Sequence, residues 1–217
     1  MHEMAKDLRY CAETGMIGSD YDSLVHHWAT NGLNYYVLAE MLWDPSQNVD
    51  DIIDEYCRLG FGKGAEAMKK YFLHCEKLTG IFAQGSSVTM DVVEDITVQK
   101  KESMISRISK IFNEEEMKKL GDFIDEARKL TADGSIERRR VEFIAAGYDF
   151  TKDRIDFAKK FNQAKSRAEK CKLSEEQRQY WWKIYNEHPF AVSIPGLFRS
   201  QYLSFWRHAG WKAPELK

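Results

Sequence analysis

Apolar positions recur along the chain at steps of three and four residues, the spacing of one helix face, and this predicts helices over most of its length. Residues 2–14 read as a short helix closed by Gly15 and Gly18, and the mixed stretch from Met16 to Asp22 reads as a strand end or an exposed loop. From Gly32 the helical period is carried by Leu33, Tyr36, Val37, Glu40 and Met41, and Pro45 stops it near Asp44 by disfavouring helical geometry in the residue before it. Asn48 and Asp51 cap a helix with Val49, Ile52, Ile53 and Tyr56 inward, ended by Gly60 and Gly62. A further helix covers about 64–82 on the stripe Ala67, Met68, Tyr71, Phe72, Cys75 and Leu78.

Residues 83–100 carry too many acids for a buried strand and read as a loop. Helical spacing resumes with Met104, Ile105, Ile108, Ile111 and Phe112, and Asn113 with Glu116 forms a capping box for a helix bearing Met117, Leu120, Ile124, Ala127 and Leu130. After the Asp133–Gly134 turn, Ser135 caps a long helix over roughly 136–170, and Ser174 with Gln177 starts a last one carrying Tyr180, Trp181 and Ile184. The stretch from Phe190 to Trp211 is too apolar for a free tail and is expected to pack back. Amphipathic helices joined by short turns favour antiparallel neighbours, so the predicted class is all-α, a multi-helix bundle with a short irregular or strand-like N-terminal segment.

The 217 residues suffice for a real core, and 43% hydrophobic with 30% charged residues is a globular composition. Thirty-two basic against 34 acidic residues, with no long block of either sign, give no concentrated basic face, so no nucleic-acid partner is expected. Cys11, Cys57, Cys75 and Cys171 are scattered and read as mostly buried small hydrophobes. The N-terminus has no signal-like apolar stretch, and the greasiest segment, Tyr35 to Trp43, is broken by Glu40 and falls short of the roughly 20 residues that cross a bilayer. A soluble chain without an export mark and without a membrane partner is expected.

The richest local constellation runs from Asp20 and Asp22 through His26, His27, Trp28, Asn31 and Asn34 to Tyr35. On an extended strand Asp20 and Asp22 share one side, as paired acid and base carboxylates require; at a loop they would instead satisfy backbone donors. Trp28 and Tyr35 suit either stacking on a ligand ring or core packing. Adjacent His26 and His27 diverge, as do His74 and Cys75, and there is no His-Glu-x-x-His pattern, so neither a metal nor a cofactor is expected. No serine sits in a nucleophile elbow. The loop from Gly60 to Gly64 follows a helix and lacks the ending of a nucleotide-binding loop.

Asp22-Ser23-Leu24, the run from His27 to Ala39, and Leu42-Trp43-Asp44-Pro45 together resemble the late portion of a large bacterial family carrying a domain of unknown function, DUF4838. Val49, Asp50, Tyr56, Cys57, Gly60 to Gly62, Ala65, Met68 and Tyr71 continue the resemblance. The family resembles glycoside hydrolases of the α-glucuronidase and hexosaminidase type, in which a (β/α)8 barrel precedes a helical C-terminal region; its members are longer and often exported. The resemblance implies a remnant of the barrel end over 1–35 and a helical bundle over 36–217.

A complete barrel takes roughly 250 residues, more than this whole chain. An isolated end segment cannot set an acid and a base on opposite sides of a sugar ring, so activity alone is not expected. The resemblance implies a non-catalytic accessory domain, with Asp20, Asp22, His26, His27, Trp28, Asn31 and Tyr35 as a sugar-facing rim and no acid or nucleophile assigned among them. The alternatives are a carbohydrate-binding or active-site-contributing module that needs a separately encoded barrel, and a helical protein-interaction module using Phe198, Phe205 and Trp206. The expected partners are a carbohydrate or a barrel domain, and a second copy of the chain through the N-terminal edge.

Overall fold

The computed structural model describes residues 1–19, 27–84 and 104–194. In this order they form helices α1 (His2–Glu13), α2 (Trp28–Trp43), α3 (Val49–Phe61), α4 (Ala65–Gln84), α5 (Met104–Ile111), α6 (Glu114–Leu130), α7 (Ile136–Gln163) and α8 (Arg167–Glu187), with a single 3-10 turn, Gly62–Gly64, between α3 and α4. The chain is all-α over these residues: a multi-helix bundle with no strand among them.

Four helix starts are set by side-chain oxygens that take up otherwise free N–H groups. Asn48 accepts from the Asp50 amide at 2.8 Å, Asn113 from Glu116 at 3.0 Å, Ser135 from Arg138 at 3.1 Å and Ser166 from Glu169 at 3.1 Å. Glu114, Glu115 and Glu116 in the first turn of α6, and Arg128 and Lys129 in its last, also match the helix dipole. The α3 end turns at Gly62, whose φ of +52° lies where side-chain-bearing residues are strained.

One continuous apolar cluster holds α1 to α7 together. Ala5, Leu33, Val37, Ile53, Met68 and Leu120 are among its buried members, and burying a large aliphatic or aromatic side chain contributes about 1.5–3 kcal/mol. Position 35 falls within α2, and residues on both sides of it enter this cluster. A second, smaller cluster joins Ala29, Ala146 and Trp181 to Ala191, Val192 and Ile194. It needs close approach of α7 to α2: a Cβ added at Gly147 would lie 2.8 Å from Ala29 Cβ.

Three features depart from the periodicity reading. Helix α2 starts at Trp28, not near Gly32, so residues 28–35 are helical. The long helix ends at Gln163, and α8 begins at Arg167 behind a full capping box, in which Glu169 Oε2 also accepts from the Ser166 amide at 3.3 Å. Ser174 and Gln177 therefore lie inside α8, both buried, and start no helix. Of the segment read as a loop, residues 85–100 lie outside the described residues. Of the apolar tail, Ala191, Val192 and Ile194 are buried and Phe190 is exposed, while everything after Ile194, including Phe198, Phe205 and Trp206, lies outside. None of the four cysteines is in a disulfide, and no helix of the described residues is long and apolar enough to cross a membrane.

Candidate functional site

The start of α2 brings most of the described site candidates onto one helix face. Trp28, Asn31 and Tyr35 are spaced three and four apart, so they line up along the helix, and the Trp28 and Tyr35 rings meet edge-to-face with centroids 5.1 Å apart. Trp28 remains partly open to solvent. Asp20, Asp22 and His26 lie outside the described residues.

His27 is the N-cap residue, and its ring works inside the fold: Nδ1 accepts from the Ser193 amide at 3.1 Å. Beside it, the Trp28 and Ala29 amides donate to the carbonyls of Phe190 and Ala191 at 3.3 and 3.1 Å. Residues 190–193 thus clasp the first turn of α2, taking up N–H groups that a helix start otherwise leaves free.

Asn31 links the aromatic pair to a cleft of about 430 Å³, within the roughly 300–1,000 Å³ span of small-molecule sites. The floor is the apolar core itself: Leu33, Tyr71, Phe72, Met117 and Leu120. Around it stand Thr30, Asn31 and Asn34 from α2, Glu76 and Thr79 from α4, Tyr148 and Thr151 from α7, and Glu3 from α1. The side-chain amides of Asn31 and Asn34 have no hydrogen-bond partner among the described residues.

Glu76 and the Cys75 thiol are each fixed in one protonation state near neutrality. Burial alone would push the Glu76 carboxyl up, but the terminal amine, the His2 amide and the His2 ring outweigh it and hold the carboxyl below its ordinary range. The His2 amide reaches Oε1 and the His2 ring nitrogen Nδ1 reaches Oε2, both at 2.8 Å. Glu3 is exposed and pairs with Lys6 at 2.6 Å. Burial pushes the Cys75 thiol up to about 12 and the Tyr71 hydroxyl well above its usual value. Near neutrality the Glu76 carboxylate and the Cys75 and Tyr71 protons are thus held in place.

Of the residues singled out in the sequence, Asn31 and Asn34 line this cleft, while His27, Trp28 and Tyr35 stand outside its lining. Sequence reasoning missed Glu76, Thr79, Tyr148 and Thr151, which come from helices far along the chain and carry no motif. Among the described residues no group of three or more His, Cys, Asp or Glu side chains could hold a metal ion.

No curated protein and no solved structure matches the chain. Residues 1–73, which hold α1 to α3 and the first part of α4 together with the aromatic pair and the two amides, match the family model described as "Domain of unknown function (DUF4838)".

Proposed function

We propose that the chain is a non-catalytic helical accessory module of a glycoside-hydrolase-like protein, and that the α2 face and its cleft hold a sugar without cleaving it. The observation that carries this reading is the state of Glu76, whose carboxylate is engaged on both oxygens. Glycoside cleavage uses two carboxyl groups flanking the scissile bond, one of them kept protonated near neutral pH by a raised pKa. Glu76 is held ionised by its partners, and Glu3 stands in solvent with Lys6. Glu76 is therefore not poised to donate a proton, and a thiol raised to about 12 is a poor nucleophile. Amides, an apolar floor and an edge-to-face aromatic pair suit ring recognition instead. The similarity over residues 1–73 supports placing the module beside that family.

The test pairs an aglycone-release assay on aryl glycosides with calorimetric titration of neutral oligosaccharides. The expected result is no release, and saturable binding that Trp28→Ala weakens by about tenfold or more, an ordinary size for losing a ring contact. Release that disappears in Glu76→Gln would make the chain an enzyme. Absence of any sugar binding would remove the sugar-contact reading.

A further inference from the structure

We infer that the cleft selects its ligand by charge: it takes an uncharged, hydroxyl-bearing ring clamped by the amides of Asn31 and Asn34, and it excludes both uronates and sugars carrying a free amine. This rests on the sugar-contact reading above and narrows it.

The argument is an account of which polar groups around the cleft are still available. Anions are bound by lysine, arginine or the open N-terminus of a helix. Among the described residues lining the cleft there is no lysine or arginine. The helix that starts at its edge has already spent its first N–H groups: Trp28 and Ala29 donate to Phe190 and Ala191, and Thr30 and Asn31 to the His27 carbonyl. The one cation in the lining, the Met1 ammonium, is already paired with Glu76 at 2.5 Å, so an anion entering here would have to break that pair while facing the carboxylates of Glu3 and Glu76.

A cation fares little better. Both oxygens of Glu76 are engaged by His2, and Glu3 by Lys6, so an ammonium must displace a partner already in place. The hydroxyls of Thr30, Thr79, Thr151 and Tyr148 each donate to a backbone carbonyl, of His27, Cys75, Gly147 and Met117 respectively.

The amides of Asn31 and Asn34 remain unpartnered among the described residues. They stand one helical turn apart, and each offers two donors and an acceptor, a match for neighbouring hydroxyls on a ring. The floor of Leu33, Phe72 and Leu120 can take the C–H face of the same ring. Leaving these amides unmet by a charged ligand, or a buried charge unmet by them, is what turns neutrality into specificity.

The experiment uses the full chain at neutral pH and physiological salt, with matched sets that differ in charge alone: glucose, glucuronate and glucosamine, then galactose, galacturonate and galactosamine. Binding is read by ligand-observed NMR up to high millimolar concentration, with melting curves as a folding control. The neutral member is expected to bind about tenfold or more tighter than either charged partner, the scale of discrimination a site built from polar contacts readily reaches. Asn31→Ala with Asn34→Ala should abolish that binding while leaving the melting temperature unchanged, because neither amide holds the fold together. Asn31→Asp with Asn34→Asp should shift preference toward the aminated sugar.

A uronate or amino sugar that binds as well as its neutral counterpart overturns the charge selection and leaves sugar contact standing. Binding that survives both asparagine double variants but is lost in Trp28→Ala overturns the clamp. No binding by any member overturns this inference and the sugar-contact reading together.

Discussion

Helix α7 carries one acid into its seam with α6 and another into its seam with α8, and the two acids are held in opposite ways. Against α6, Glu142 meets Arg128 in a two-pronged pair, Nε to Oε1 at 3.0 Å and Nη2 to Oε2 at 2.7 Å, and the guanidinium holds its carboxyl below the usual range. Against α8, Asp153 accepts from Gln177 Nε2 at 3.0 Å and Trp181 Nε1 at 3.1 Å, yet burial outweighs both bonds and pushes its carboxyl up. Neutral donors fill lone pairs; they do not replace the water a charge has lost. The α8 seam is also the less satisfied one, since Ser174 Oγ and Gln177 Oε1 are buried with no hydrogen-bond partner among the described residues.

The largest effect that would test this contrast is Trp181→Ala. It empties the centre of the second cluster and takes one of the two donors from Asp153, so a loss of about 3–5 kcal/mol is expected, read as a shift of the denaturant midpoint at constant slope. A loss below about 1 kcal/mol, the size of an ordinary surface change, would mean that the α8 seam adds little to the bundle.

A pH series separates the two acids by sign. Glu142 has a lowered folded-state pKa, so its contribution is present above the unfolded value and fades as pH falls through the folded one. Asp153 has a raised one, so its contribution is complete below the unfolded value and is lost as pH rises through the folded one. Glu142→Gln should therefore lower stability at neutral pH, by under about 1 kcal/mol because the pair is partly exposed and screened, and should converge on the parent in acid. Asp153→Asn keeps an acceptor for Gln177 and Trp181, should match the parent in acid, and should gain on it toward neutrality. Melting temperatures that respond alike in both variants would erase the distinction between the seams.

The smallest expected change is at Ser174. Removing a buried hydroxyl that makes no bond among the described residues leaves little to lose, so Ser174→Ala should stay within about 0.5 kcal/mol of the parent or gain slightly in urea unfolding. A loss of more than about 1 kcal/mol would show that this oxygen has a hydrogen-bond partner in solution.

The same seam shows where periodicity stops being informative. Asn113 with Glu116, and Ser135, were legible as helix starts because a capping residue is followed directly by an apolar stripe, and both caps form. Around residue 170 the chain holds two equally good motifs eight residues apart, Ser166 with Glu169 and Ser174 with Gln177, and only the first is used. Nothing local separates them. Ser174 is buried in the helix interior by tertiary packing, which a local pattern cannot report. The candidate site divides the same way: Trp28, Asn31 and Tyr35 share a helix face that spacing reveals, whereas Glu76 and Thr151 reach the cleft only because α4 and α7 pack against α2 and its neighbours.

The clasp at the start of α2 has a consequence for how the molecule comes into being. Its two halves lie at opposite ends of the described chain, and the bond from the Ser193 amide to His27 spans 166 positions. Domains begin to fold as they are synthesised, at about 5–20 residues per second, N-terminal part first. The helix bearing both cleft amides is complete in sequence by residue 43, yet its first turn waits for residues 190–193 to emerge before its amides find their carbonyls. The first turn of the cleft wall is thus made well before it can be locked.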